Sequence, residues 1–216
     1  AIFVEIQQWK GERAGGPGAD EALRRAVEGI EVSERSGSPY SRCMAYRALA
    51  IAHTLNERWS DALEAAQRSL GMAREESGLE REAEILTVLA IAHRGLGDLE
   101  AARARAEEAV ATAELRGTQL QAVMADLELA RVLREARGAE AADEIDGCLA
   151  RAARTIEVTG GRALAPQLLE ERALLASVRG ETEAADAGLR AAHEAYLSIG
   201  ASGHAERVAE RIVAGA

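Results

Sequence analysis

The chain has 216 residues, 48% of them apolar and 29% charged, a balance that excludes a disordered polypeptide and suffices for one folded domain or a short repeat array. Aromatic residues make up only 3%, so the interior must be built from Ala, Leu, Val and Ile, which suits close-packed helices better than strands with bulky cross-strand pairs. The net charge of −10, from 36 acidic and 26 basic residues interspersed along the chain, excludes nucleic-acid binding through a general basic field.

Lys10 is the only lysine among the 26 basic residues, an arginine bias that fits a GC-rich bacterial source. Cys43 and Cys148 are too few and too far apart for a disulfide framework or a metal knot, and no apolar stretch approaches bilayer length. The expected setting is cytoplasmic, with no membrane contact and no cofactor. The chain opens at Ala1 without a methionine or a basic leader, which reads as a fragment excised from a larger protein.

In chain order, Ile2, Phe3, Val4, Ile6 and Trp9 begin a truncated helix or a flexible segment. Gly11, Gly15, Gly16, Pro17 and Gly18 then read as loop, so residues 1–18 are set apart from a repeat domain over 19–216. Helices are expected at 20–36, 40–56, 60–76, 79–96, 99–116, 119–136, 141–159, 164–178, 183–199 and 203–214. Ser38 before Pro39, Thr118 three residues before Gln121, Thr182 before Glu183, and Ser202 provide N-caps.

Glycines supply the ruler. Gly37, Gly78, Gly117, Gly160 and Gly200 are 41, 39, 43 and 40 residues apart, and Gly97, Gly138 and Gly180 divide each unit into two helices. Self-comparison agrees: Ala50-Ile51-Ala52-His53 recurs as Ala90-Ile91-Ala92-His93, while Trp59, Ala62, Ala66 and Leu70 recur as Leu99, Ala102, Ala106 and Val110, all offset by 40. The third unit shifts its second helix, with Ile145, Leu149, Ala152 and Ile156 inward, and the last helix, with Val208, Ile212 and Val213 on one side, reads as a cap.

Leu89, Ala90, Gly97, Asp98, Leu99, Ala102 and Ala109 resemble the tetratricopeptide repeat (TPR) pattern. The preceding unit matches through Leu49, Ala50, Trp59, Ala62 and Leu70, with Glu57-Arg58 where the family prefers Gly-Asp. The resemblance implies an all-α, TPR-like superhelical solenoid of antiparallel helix pairs with a C-terminal capping helix. The closing stretch from Tyr196 to Arg207 is similar to the C-terminal repeat regions of large bacterial proteins that join a cyclase or transcriptional output to a signalling ATPase.

The family's groove-facing positions fall on Met44, Arg47, Ile51 and Thr54, then Glu84, Thr87, Ile91 and Arg94, then Met124, Leu127, Arg131 and Arg134. The resemblance implies a non-catalytic protein- or peptide-binding scaffold. The partner is a protein or peptide segment, another domain of the parent protein included, and self-association stays open. A small-molecule or signal-peptide sensor is the alternative, ahead of a helical enzyme. The lysine and asparagine clamp for acidic peptide C-termini is missing. Arg47, Arg94, Arg131 and Arg134 could grip partner carboxylates, though each is expected more often to meet a glutamate on the next helix. His53 and His93, at equivalent positions, read as packing residues, and the run Glu75, Glu76, Glu80, Glu82 and Glu84 as a solvated face. Hydrolase, zinc-protease and phosphate-loop motifs do not occur in the sequence.

Overall fold

A computed structural model describes residues 2–75 and 81–215. Their helices, in chain order, are α1 (Ile2–Lys10), α2 (Pro17–Ser36), α3 (Pro39–Leu55), α4 (Trp59–Glu75), α5 (Glu82–Gly95), α6 (Leu99–Arg116), α7 (Gln119–Arg137), α8 (Ala142–Thr159), α9 (Ala165–Val178), α10 (Thr182–Ser198) and α11 (Ser202–Gly215). Strands are absent among the described residues. Gly78, Glu76 and Glu80 lie outside them.

The helix pattern follows from residue size and turn chemistry. Ala62, Ala66, Ala102, Ala106 and Ala109 are fully buried, and a methyl group at each contact lets consecutive helices approach closely. Each helix packs on the next, and the odd-numbered helices also touch one another in the series α1, α3, α5, α7, α9. The odd set therefore forms the inner layer of a curved stack and the even set its outer layer. The apolar core falls into three clusters from Val4 to Val208, the first two joined through half-buried Val110 and the third, around Leu189 and Tyr196, standing by itself at the C-terminal end.

The glycine ruler marks the turns: Gly37, Gly97, Gly117, Gly138, Gly160, Gly180 and Gly200 all have positive φ. Ser38 caps α3 by accepting a hydrogen bond from the Ser41 N–H at 3.3 Å. Other expected caps differ. Thr118 stands before α7, but its hydroxyl donates backward to the Ala113 carbonyl, and Thr182 is the first residue of α10, with Glu181 in the cap position. Asp98 caps α6 by accepting from the Ala101 N–H at 3.1 Å. The helix α2 starts at Pro17, ahead of the expected position 20, because proline's fixed φ suits the first turn and its missing N–H costs nothing there. In α8, Ile145, Leu149 and Ala152 are buried and Ile156 half-buried, after a 3₁₀ turn at Gly138–Ala141 that produces the shift seen in the sequence.

Two elements at the ends depart from the sequence expectation. In α11, Val208 is buried and Ile212 half-buried, but Val213 is exposed, so the apolar stripe ends a residue earlier than expected. The same helix also reaches back to α1, so the inner layer closes into a ring of six helices.

Glu57 occupies the turn position that Gly97 fills one unit later, and it is the sole non-glycine residue with positive φ among the described residues, at 54°. A side chain there carries steric strain that glycine avoids. Replacing Glu57 by Gly is expected to raise the unfolding free energy by about 0.5–1 kcal/mol, read as a higher urea midpoint with unchanged m-value.

Candidate binding groove

The inner layer carries most of the buried charge, and its placement follows from the repeat. Amphipathic inner helices bury one face on their outer partner, and their flanks meet the neighbouring inner helices, where a polar residue must find a partner one repeat away. Arg47 of α3 is 1% exposed and lies between Glu5 of α1 and Glu84 of α5, donating to both. Arg94 of α5 donates to Glu128 of α7 at 2.7 Å and to Glu135 at 3.0 Å. Arg131 of α7 reaches Glu171 of α9 at 2.7 Å, Gln167 at 3.2 Å and Glu128 on its own helix at 3.4 Å.

The series continues through α9 and α11. Arg134 lies 3.5 Å from Glu171. Glu170 of α9 accepts from the Tyr196 hydroxyl at 2.7 Å and from Arg207 of α11 at 3.2 Å, with Arg211 3.8 Å away. Finally α11 meets the first hairpin: His204 Nε2 lies 3.3 Å from the Gln8 carbonyl, and Arg13, in the α1–α2 loop, pairs with Glu210 at 2.6 Å. A chain of ion pairs and hydrogen bonds thus links every inner helix to the next and returns to the start.

Burial works against the Arg131 charge, yet Glu171 and Glu128 outweigh it and raise its pKa further. Burial likewise pushes Glu170 up, while Arg207, the Tyr196 hydroxyl and Arg131 together hold its carboxyl below the usual range. Burial, Glu170 and its hydrogen bond keep the Tyr196 phenol protonated.

Of the expected groove positions, Arg47, Ile51, Thr87 and Leu127 are buried, and Met44, Thr54, Glu84, Ile91, Arg94, Met124, Arg131 and Arg134 are half-buried. The four arginines each meet a glutamate on a neighbouring inner helix. Thr87 donates to the Ala83 carbonyl at 2.9 Å and so serves its own helix. The expected solvated face is only partly that: Glu75 is exposed, whereas half-buried Glu82 pairs with Arg74 and Arg116, and Glu84 with Arg47 and Arg81. His53 is buried and His93 half-buried, with Asp61 and Asp98 4.0 and 3.5 Å from their Nδ1 atoms. Sequence reasoning missed Glu5, Glu128, Glu170, Glu171, Tyr196 and Arg207. The available signal was separation: Arg94 and Glu135 are 41 residues apart and Arg131 and Glu171 40, close to the repeat length.

Two cavities lie away from these positions. One, of about 210 Å³, sits between α3 and α4 beside Tyr46, His53 and Asp61. The other, of about 500 Å³, opens between α1 and α2 beside Phe3, Arg25 and Val32. Among the described residues, no group of three or more His, Cys, Asp or Glu is placed to hold a metal, and no helix is long and apolar enough to cross a membrane.

Stacked antiparallel hairpins with an apolar interior between their layers and a polar inner layer define a helical-repeat solenoid. Residues 40–114 match the family model described as Tetratricopeptide repeat, and the fold of the chain is an all-α, TPR-like solenoid. The chain is similar to BtubC (BKLC) from P. vanneervenii, at 15% identity and TM-score 0.65 over 93% of this chain and 91% of that one. It is also similar to a Rap protein complexed with competence and sporulation factor, at 16% identity and TM-score 0.66, covering 98% of this chain and 61% of that one. At these identities the likeness is one of fold. No curated protein matches the sequence.

The charges give three expected outcomes. Glu171→Ala removes the partner of Arg131 and Arg134. Arg131 keeps 21% of its side chain in solvent, which offsets part of the loss, so the unfolding free energy should fall by about 2 kcal/mol. Arg13→Ala, at the fully exposed pair with Glu210, should leave the urea midpoint nearly unchanged.

The third concerns pH. Burial, then Arg207 and Arg131, push His204 down to about 4 against the opposing pull of Glu170 and the hydrogen bond to Gln8. The folded imidazole is therefore neutral while the unfolded one takes up a proton near 6.5, so stability is lost as pH falls from about 6.5 toward 4. His53, lowered by burial and Arg58, contributes in the same direction. Urea midpoints at pH 7 and pH 5 should differ less in His204→Gln than in the wild type.

Proposed function

We propose that this chain is a non-catalytic protein- or peptide-binding scaffold, serving as a regulatory module of a bacterial signalling protein in the cytoplasm. Its repeat domain spans residues 19–216. The inner layer carries the reading: Met44, Thr54, Ile91 and Met124 are half-buried beside arginines that neighbouring glutamates already neutralise. Such a surface is mixed and locally neutral, and it suits a peptide or helix that offers apolar side chains with a few carboxylates better than a strongly acidic tail. The likeness to a Rap protein complexed with competence and sporulation factor supports a recognition role for the fold. The two cavities lie away from the groove positions, which favours the scaffold over a pocket-type sensor.

The test uses groove residues that stand outside the ion pairs. The chain, with Thr54→Arg and Met124→Arg, is used to capture partners from bacterial lysate, with Arg103→Glu on the outer helix α6 as control and circular dichroism confirming the fold. One partner retained by wild type and Arg103→Glu and lost at least tenfold by both groove variants is the expected result. Retention by all of the proteins contradicts the assignment to the groove.

A further inference from the structure

The cavity of about 210 Å³ between α3 and α4 is built differently from the inner layer. Its deeper lining is Leu49, His53 and Ala65, with Tyr46 beside them. Its rim is two ion pairs of α4, Arg58 with Asp61 and Arg68 with Glu64, each at 2.7 Å.

The equivalent place one unit later lacks these groups. Forty residues on, Leu49 and His53 recur as Leu89 and His93, whereas Tyr46, Asp61 and Glu64 give way to Leu86, Ala101 and Ala104, and Leu86 is fully buried. The fold therefore does not demand the hydroxyl and the two carboxylates of the first unit.

His53 is the incomplete part of the cavity. It is 9% exposed, its ring lines the space, and its Nδ1 has no hydrogen-bond partner among the described residues. The Asp61 carboxylate stands 4.0 Å away, beyond hydrogen-bond reach. Burial, then Arg58, lowers the pKa of His53, so at neutral pH the imidazole is neutral and one ring nitrogen is an acceptor. A buried polar atom without a partner costs free energy, and a ligand nitrogen about 2.9 Å from both Nδ1 and Asp61 would satisfy it. Arg58 and Asp61 are half exposed, and exposed side chains change rotamer within nanoseconds, so the rim can admit such a group.

We infer that this cavity is a binding site for a free α-amino acid with an apolar side chain. The ammonium donates to His53 Nδ1 and Asp61, the carboxylate meets Arg58, and the side chain lies on Leu49, Ala65 and Tyr46. The ligand's two charges then alternate with those of the Arg58–Asp61 pair and leave the cavity neutral. Size restricts the ligand as well, since pockets for drug-sized molecules run to roughly 300–1,000 Å³. The site lies outside the groove and does not depend on the scaffold reading.

The probe is L-leucine, titrated into the full chain and followed by NMR through the histidine imidazole resonances. Isoamylamine and isocaproate keep the apolar body and lose one charge each. L-leucine should bind saturably and shift His53 but not His93, and each analogue should bind at least tenfold more weakly. Asp61→Asn, at a half-exposed position, should weaken L-leucine at least tenfold, with Arg103→Glu on α6 unchanged. Absent saturable binding, equal affinity for either analogue, a shift of His93 in place of His53, or unchanged affinity in Asp61→Asn overturns the assignment.

Discussion

An arginine buried between inner helices must meet a carboxylate, and in this stack the neighbouring inner helix supplies it. Removing two ions from water costs several kcal/mol each, so such a side chain tolerates only the arrangement in which its partner is in register. Arg47 with Glu84, Arg94 with Glu128, Arg131 with Glu171 and Glu170 with Arg207 each impose that condition on one step of the inner layer. Alanine contacts set how closely the helices approach, and the ion pairs set how far each hairpin slides against the next. Asp126 and Arg151, paired at 2.5 Å, add a similar tie between α7 and the outer helix α8.

Neutralisation of the inner layer also sets the charge that the concave face presents. An arginine-rich groove with free guanidinium groups would attract acidic tails at long range, yet here the carboxylates come from the protein itself. The polar chain then continues past α9 into α11 and across to the first hairpin, where neutral His204 stacks on Tyr196 with ring centres 4.9 Å apart. The C-terminal helix therefore does more than cover an apolar end. It joins the two ends of the stack, through contacts that depend on the small size of Gly11 and Gly203.

Much of the architecture was legible because it rests on local rules repeated at fixed distance. Gly97, Gly138 and Gly180 need positive φ, and Ala62 and Ala102 recur because both meet a neighbouring helix closely. Glu57, in place of a glycine, was visible as an irregular turn. The closure of the ring was hidden, since nothing local says that Gln8 and His204, 196 residues apart, come together. The arginines of the inner layer stood out in the sequence, but their partners were masked by ordinary-looking glutamates. Glu128 sits within Leu127-Glu128-Leu129-Ala130, where only its burial reveals that it faces Arg94. The helix α1 was ambiguous because its apolar residues spread around the axis, with Val4 inward and Ile2, Ile6 and Trp9 outward.

Closure of the inner layer, with α1 against α11, can be tested directly by a distance. Spin labels at Lys10 and Glu206, both exposed, on a background with Cys43 and Cys148 replaced by alanine, report the separation of the two helices by pulsed dipolar spectroscopy. The closed ring predicts one dominant, narrow, short distance at neutral pH. A dominant long or broad distribution in the folded protein would show an open superhelix and contradict the account.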